Sequence, residues 1–104
     1  MTNAIKHDAD KPRLDLLDRC FLEETARVLG FGADKYAPYN YKKGLAYSRL
    51  TAAAMRHIVA FNDGEDIDPE SGLSHLAHAA CCLQFLIWMK NNRIDMDDRH
   101  LTPK

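Results

Sequence analysis

An acidic loop and two histidines stand next to each other in the second half of the chain. Four carboxylates fall within residues 64–70, and His75 and His78 follow them, three positions apart, on an apolar segment. Imidazole nitrogens and carboxylate oxygens are the side-chain ligands that proteins offer to divalent metal ions. The spacing therefore predicts half of a metal-dependent active site. Taken alone, the acidic loop fits a solvated surface turn that caps the following helix.

Two further polar residues lie on otherwise apolar helical faces. At about 100° per residue, Glu24 shares a face with Phe21 and Val28, and His57 shares one with Leu50. A single inward histidine is usually a hydrogen-bonded core residue. An inward carboxylate is rarer, because it needs a cation, which a metal ion or an arginine supplies. The convergence of Glu24 with three histidines favours a metal or catalytic site.

The segment 35–44 combines lysines, tyrosines and an asparagine. Lysines bind phosphates as point charges, tyrosines stack on bases, and asparagine can contact a base edge. The same composition fits an ordinary loop between two helices. The N-terminal segment 1–13 adds cations, and its alternative is a disordered terminus.

Length and composition narrow the class of protein. A chain of 104 residues with a formal net charge of −1 supports one domain and gives no electrostatic case for nucleic-acid or membrane binding. Three cysteines, two of them adjacent, form no disulfide framework. Because no signal peptide or membrane-length apolar run is visible, we expect a cytoplasmic protein.

Helical periodicity dominates the chain, and we see no strand pattern. We expect one domain in three parts: an extended arm at residues 1–13, a helical core at 14–91, and a tail at 92–104 with at most one short helix. The core should contain helices at about residues 14–29, 47–61 and 69–91. Gly30 and Gly32 should end the first helix, and Asp68 should cap the third with Pro69 at its first position.

Several segments in this order resemble the phage and bacterial dATP/dGTP diphosphohydrolases, which are discussed with the MazG-like all-α nucleotide pyrophosphohydrolases. The similarity covers about residues 6–86. It implies hydrolysis of a purine deoxynucleoside triphosphate to the monophosphate and pyrophosphate. The MazG pattern pairs Glu-x-x-Glu with Glu-x-x-Asp, whereas this chain has Arg27 after Glu23-Glu24 and a His-x-x-His pair on the later helix. The segments that carry the resemblance are residues 6–17, 22–36, Asn40 with Lys43-Gly44, Arg56-His57, and 64–80.

This resemblance implies an all-α, MazG-like bundle of three main helices and a short C-terminal segment, with a core completed by oligomerisation. It also implies a nucleotide substrate, in the cytoplasm of a phage host or bacterium, and a divalent ion, Mg²⁺ or Mn²⁺, with Zn²⁺ as the alternative that the histidines raise. The expected catalytic residues are Glu24, Asp66, Glu70 and His57; the expected metal ligands are Glu24, Asp66, His75 and His78; and the expected substrate-binding residues are Lys11, Arg13, Lys35, Tyr36, Asn40, Lys43 and Arg56.

The rival hypotheses are a non-enzymatic, oligomeric helical binding or adaptor protein of a phage and a metal phosphohydrolase of different bond specificity. In the adaptor protein, the histidines form a polar network in the core and the acidic loop is a helix cap.

Overall fold

Three α-helices carry the fold in a computed structural model that describes residues 3–100. They are α1 (Arg19–Lys35), α2 (Tyr47–Asn62) and α3 (His75–Asn92). Short 3-10 turns and one small antiparallel hairpin of β1 and β2 connect or flank them. The all-α class and the three main helices are confirmed. The remaining elements are 3-10 turns at Leu14–Leu16, Asn40–Lys43 and Ile94–Met96, and strands β1 (Ile67–Asp68) and β2 (Leu73–Ser74).

The central element is α3, which contacts both other helices. Ala77 and Cys81 of α3 pack with Val28 of α1, while Met89 packs with Tyr47 and Leu50 of α2. A helix that is covered on two sides must be apolar around most of its circumference. The α3 sequence meets this condition, and its alanines let the neighbouring helices approach closely.

The first helix begins and ends later than its sequence pattern predicts. Asp18 caps α1 by accepting a hydrogen bond from the Cys20 amide, and the helix continues through Gly30 and Gly32 to Lys35. The predicted range of 14–29 is therefore wrong at both ends. A glycine inside a helix costs only about 1 kcal/mol relative to alanine, which the surrounding helical turns can offset.

The start of the third helix also differs from the prediction. Ser74 is its N-cap and accepts from the Ala77 amide, so Asp68 does not cap it. Asp68 instead lies in β1 and accepts a hydrogen bond from the Glu70 amide at 3.0 Å. Gly72, at φ 73°, turns the chain back into β2. Two-residue strands show no alternation of side chains, which is why the prediction of no strands was wrong.

The structure describes most of both ends of the chain. Residues 3–13 are exposed and lie outside helices and strands, and one short 3-10 helix, Ile94–Met96, follows α3. Residues 1–2 and 101–104 of the predicted arm and tail fall outside the described range. Within that range, none of the helices has the length and hydrophobicity that crossing a membrane requires.

Candidate active site

Three metal-binding side chains from three different elements meet beside α3. His57 of α2, Asp68 of β1 and His78 of α3 each offer one ligand atom, and these atoms lie within 4.8 Å of one another. The rings of His57 and His78 stack with centroids 4.6 Å apart, and the His78 Nε2 atom is 3.5 Å from an Asp68 carboxylate oxygen. The hairpin brings the Asp68 carboxylate back to the first turn of α3, where His78 lies.

The electrostatic environment favours neutral imidazoles in this cluster. Partial burial lowers the pKa of both His57 and His78, and the proximity of His78 lowers the pKa of His57 further, while the Asp68 carboxylate opposes both shifts. Neutral imidazole is the form that binds a metal ion, because the ligating nitrogen must carry a free lone pair. These shifts favour the neutral imidazoles that a metal site needs.

His75 lies behind this cluster. Its Nδ1 atom is 2.9 Å from Nδ1 of His57, and its Nε2 atom is 2.6 Å from a carboxylate oxygen of Glu65. His75 is only 5% exposed. Because both ring nitrogens are engaged, His75 has no free donor for an ion, and this geometry does not support its predicted role as a ligand.

Ser71 and Phe31 complete the surroundings of His78. The Ser71 hydroxyl lies 2.7 Å from His78 Nε2, and the same oxygen accepts a hydrogen bond from the Leu73 amide at 3.2 Å. Phe31 of α1 meets the His78 ring edge-on, with centroids 6.4 Å apart. The ring of His78 is therefore held by an aromatic contact on one side and by a hairpin hydroxyl at its outer nitrogen.

The cluster forms part of the wall of a cleft of about 950 Å³. This volume is within the range of small-molecule sites in proteins. The end of α1, the segment 36–41, α2, α3 and the hairpin line it. Five of the predicted site residues outside the histidines are among the lining residues: Lys35, Tyr36, Asn40, Arg56 and Glu70.

The cleft carries cationic side chains with different partners. Lys35 Nζ lies 3.4 Å from a carboxylate oxygen of Glu70. Arg49 and Arg56 also line the cleft, and neither forms an ion pair within residues 3–100. Arginines without an anionic partner can bind phosphate through two parallel hydrogen bonds.

The loop that follows α1 and lines the cleft has an unusual backbone. Ala37 has φ 152° and Tyr39 has φ 61°, both in the region that favours glycine. Such conformations cost about 1–3 kcal/mol each and concentrate at ligand sites. Tyr36 and Tyr39 are well exposed and line the cleft, and the ammonium groups of Lys35 and Lys42 lie 5.3 Å and 4.5 Å from the centroids of their respective rings.

Two of the predicted metal ligands lie elsewhere. Glu24 is exposed, because the covered face of α1 is the one that carries Thr25 and Val28. Its predicted inward position is wrong. Asp66 is also exposed, and it contacts the site only through its backbone carbonyl, which accepts from the His75 amide at 3.0 Å. Neither residue lines the cleft.

The other predicted residues outside the cleft are Lys11, Arg13 and Lys43. None is among its lining residues, and Arg13 is paired with Asp15 at 2.6 Å. Their roles in substrate binding stay predictions, as do the catalytic and metal-binding roles of Glu24 and Asp66.

Sequence reasoning missed four residues of the site: Glu65, Asp68 as a potential ligand, Ser71 and Arg49. The turn residues Pro69 and Gly72 were the available signal for a hairpin. A hairpin at this point brings the acidic segment that contains Glu65 and Asp68 back toward the start of α3. Arg49 lies seven positions before Arg56, and two helical turns place them on the same face.

These observations define an α-helical domain with a cluster of two histidines and one aspartate in the wall of a cleft that carries cations. The chain matches the family described as dATP/dGTP diphosphohydrolase, N-terminal, over residues 2–99, and it belongs to that family. The resemblance seen in the sequence is thereby confirmed.

A relative gives the comparison more detail. The chain is 46% identical over 95 residues to a dATP/dGTP diphosphohydrolase of Salmonella phage PMBT28. The match covers 91% of this chain and 32% of the relative, so the chain spans about a third of that protein's length. No solved structure matches the chain.

Proposed function

We propose that this domain is a metal-dependent hydrolase that converts a purine deoxynucleoside triphosphate to the monophosphate and pyrophosphate. One observation carries the proposal: the cluster of His57, Asp68 and His78 forms one wall of a cleft whose other walls carry cations and tyrosines. The name of the phage relative supports the substrate class, since it is a dATP/dGTP diphosphohydrolase. Because the match covers about a third of that relative, the proposed activity has to be measured on this chain itself.

The donor set fits some divalent ions better than others. Two imidazole nitrogens and one carboxylate suit Zn²⁺ or Mn²⁺, whereas Mg²⁺ prefers oxygen ligands throughout. Three protein ligands also leave positions for water and substrate. An ion held by His57, Asp68 and His78 supplies positive charge for the phosphate oxygens and lowers the pKa of bound water.

The cleft side chains have distinct roles in this proposal. Arg49 and Arg56 of α2 bind the phosphate oxygens of the substrate. Lys35 exchanges its exposed partner Glu70 for a phosphate, which frees the carboxylate of Glu70 to accept a proton from the attacking water. Glu70 is better placed for this task than Asp66, because only Glu70 lines the cleft.

In this proposal, the base is recognised by the loop that follows α1. Tyr36 offers an exposed ring for stacking, and Asn40 offers an amide that can donate and accept hydrogen bonds at a base edge or sugar. In the proposed binding mode, the base lies near the loop that contains Ala37 and Tyr39, and the phosphates lie near α2 and the histidine cluster.

We further propose that two or more copies of the chain associate. Its accessible area is 8510 Å², against roughly 5,900 Å² expected for a compact monomer of this size. The extended arm contributes part of the excess, and apolar helix faces contribute another part. Met55, Ile58 and Val59 form one such stripe on α2, and Leu76, Leu83 and Ile87 form another on α3, each residue being 47–59% exposed. A second copy that covers such a stripe enlarges the small core.

A product analysis tests the proposed reaction. The purified chain is incubated with each of the four dNTPs and with Mn²⁺, Mg²⁺ or Zn²⁺, and the products are identified by phosphorus NMR. We expect pyrophosphate and dNMP from dGTP or dATP, loss of turnover with a chelator, and recovery when the ion is restored. His78→Gln should abolish turnover. Asp34→Asn, which changes an exposed carboxylate on α1 that is not among the cleft-lining residues, should not change turnover.

Other outcomes have clear consequences. Orthophosphate with dNDP, or tripolyphosphate with nucleoside, would refute the scissile bond and leave a metal phosphohydrolase. A chain without turnover on any nucleotide and without affinity for any of the three ions would support the adaptor hypothesis.

A further inference from the structure

We infer that Glu65 and His75 act together as positioning residues that hold the His57 ring with its Nε2 lone pair directed away from His75 and available to an ion. The three side chains form a chain of hydrogen bonds from Glu65 through His75 to His57, which we call the relay. The inference rests on the metal site proposed above and extends it to residues behind the cluster. None of the predicted roles includes Glu65.

The carboxylate of Glu65, at one end of the relay, determines which atom donates in each hydrogen bond. An ionised carboxylate can only accept, so His75 Nε2 donates to Glu65 across 2.6 Å. A neutral His75 then has a lone pair on Nδ1. His57 Nδ1 lies 2.9 Å from that atom and must donate its proton to it. The remaining nitrogen of His57, Nε2, is left without a proton and can bind a metal ion.

The backbone holds the relay at a fixed length. The Glu65 amide donates to the carbonyl of Ala60 at 3.0 Å, which ties Glu65 to the last turn of α2. The His75 amide donates to the carbonyl of Asp66 at 3.0 Å, which ties the start of α3 to the same segment. Gly64, at φ 102°, makes the turn that this arrangement needs. Glu65 and His75 are thus anchored independently of the side-chain contacts, and His57 is held within α2.

The middle residue of the relay is buried and its outer carboxylate is half exposed, which suits a positioning role. The His75 side chain is 6% exposed, and the Glu65 side chain is 54% exposed. The buried imidazole cannot change its partners without leaving a polar atom unpaired, whereas Glu65 can be replaced with little effect on packing. A carboxylate that fixes a histidine in this way is the usual outer partner of a metal-binding imidazole, here with one extra ring in between.

The sharpest test is Glu65→Gln, because Gln keeps the size of the side chain but offers both a donor and an acceptor to His75. In the metal-free wild type, long-range nitrogen-15 NMR of the histidine rings should find the proton of neutral His57 on Nδ1. In Glu65→Gln, both tautomers of the neutral His57 ring, with the proton on Nδ1 or on Nε2, should be populated. Asp63→Asn changes a neighbouring exposed carboxylate that has no side-chain partner among residues 3–100, and it is the matched control.

Metal affinity supplies the second readout. Calorimetric titration with Mn²⁺ and with Zn²⁺ should give a Kd about 10- to 100-fold higher than that of the wild type for Glu65→Gln and for Glu65→Ala. Replacing other outer partners of metal-binding histidines has an effect of this size. The Kd of Asp63→Asn should stay within about twofold of wild type. Circular dichroism and melting curves verify that the variants are folded.

The two readouts separate this inference from the proposed function. If the wild type binds neither ion, the metal site fails, and the NMR result still reports on the relay. If Glu65→Gln leaves the His57 proton on Nδ1, or if the wild type carries that proton on Nε2, the relay is overturned even when metal binding is normal. Unchanged metal affinity in both Glu65 variants would also overturn it.

Discussion

Replacing Asp68 by Asn isolates the charge of the only carboxylate in the cluster. The side chain of Asp68 is 15% exposed, and its Oδ1 atom accepts the Glu70 amide at 3.0 Å. An Asn side chain can retain this hydrogen bond through its own Oδ1, so the hairpin should fold as in the wild type. What the variant loses is one negative charge near His57 and His78.

The size of the effect can be worked from Coulomb's law. A carboxylate oxygen about 2.1 Å from a divalent ion attracts it by about 4 kcal/mol even at the dielectric constant of water. The amide oxygen of Asn recovers part of this attraction, and the variant avoids the cost of desolvating a charge. We therefore expect a net loss of about 2–3 kcal/mol, which is on the order of 100-fold in Kd.

Calorimetric titration with Mn²⁺ and Zn²⁺ at neutral pH measures this change directly. Asp34→Asn, which removes an exposed carboxylate on α1 outside the cleft, is the control and should bind as the wild type does. If Asp68→Asn were folded and bound both ions with wild-type Kd, Asp68 would not be a ligand. The ion would then be held by side chains other than Asp68.

Three further predictions concern phosphate binding, pH and assembly. Arg56→Gln should raise KM for dGTP about tenfold, or about 1.4 kcal/mol, with a smaller change in kcat, in steady-state kinetics; equal loss in kcat alone would contradict a role in ground-state phosphate binding. In the metal-free protein, Tm should fall as the pH decreases from about 7 toward 5, because burial lowers the folded-state pKa of His57 and His78 while the unfolded histidines take up protons below about pH 6.5. A double variant with Gln at both positions should show a weaker dependence. Val59→Glu should reduce the molar mass measured by light scattering, because it places a charge in the exposed apolar stripe of α2; an unchanged mass would exclude this stripe as the contact between copies.

The sequence predicted helix bounds best where a helix has clear end signals and packs against a neighbour on one side. The second helix was expected at residues 47–61 and spans Tyr47–Asn62, because turn residues follow it directly. The composition of the segment 35–44 made Lys35, Tyr36 and Asn40 candidates for substrate binding, and all three line the same cleft as the histidines. Their role in binding a substrate stays a prediction.

Glu24 shows the limit of a periodicity argument. An apolar stripe identifies a face that can be buried, and it does not determine which face a neighbour covers. On α1 the covered face contains Thr25 and Val28, whereas Phe21, in the predicted stripe with Glu24, is 50% exposed. A shift of one residue rotates the helix by about 100°, which is enough to move a carboxylate from the interior to solvent.

The hairpin determines the roles of the acids, and its geometry was not accessible from local patterns. Glu65 and Asp68 lie three positions apart, yet they contact different histidines on opposite sides of the cluster. Glu65 contacts His75 behind the cluster, and Asp68 lies beside His78 at the cleft. One short connection therefore supplies both a potential ligand and the acid that orients another ligand. Because a one-residue insertion or deletion between them would misplace at least one carboxylate, the length of this connection is as much a part of the proposed site as its side chains.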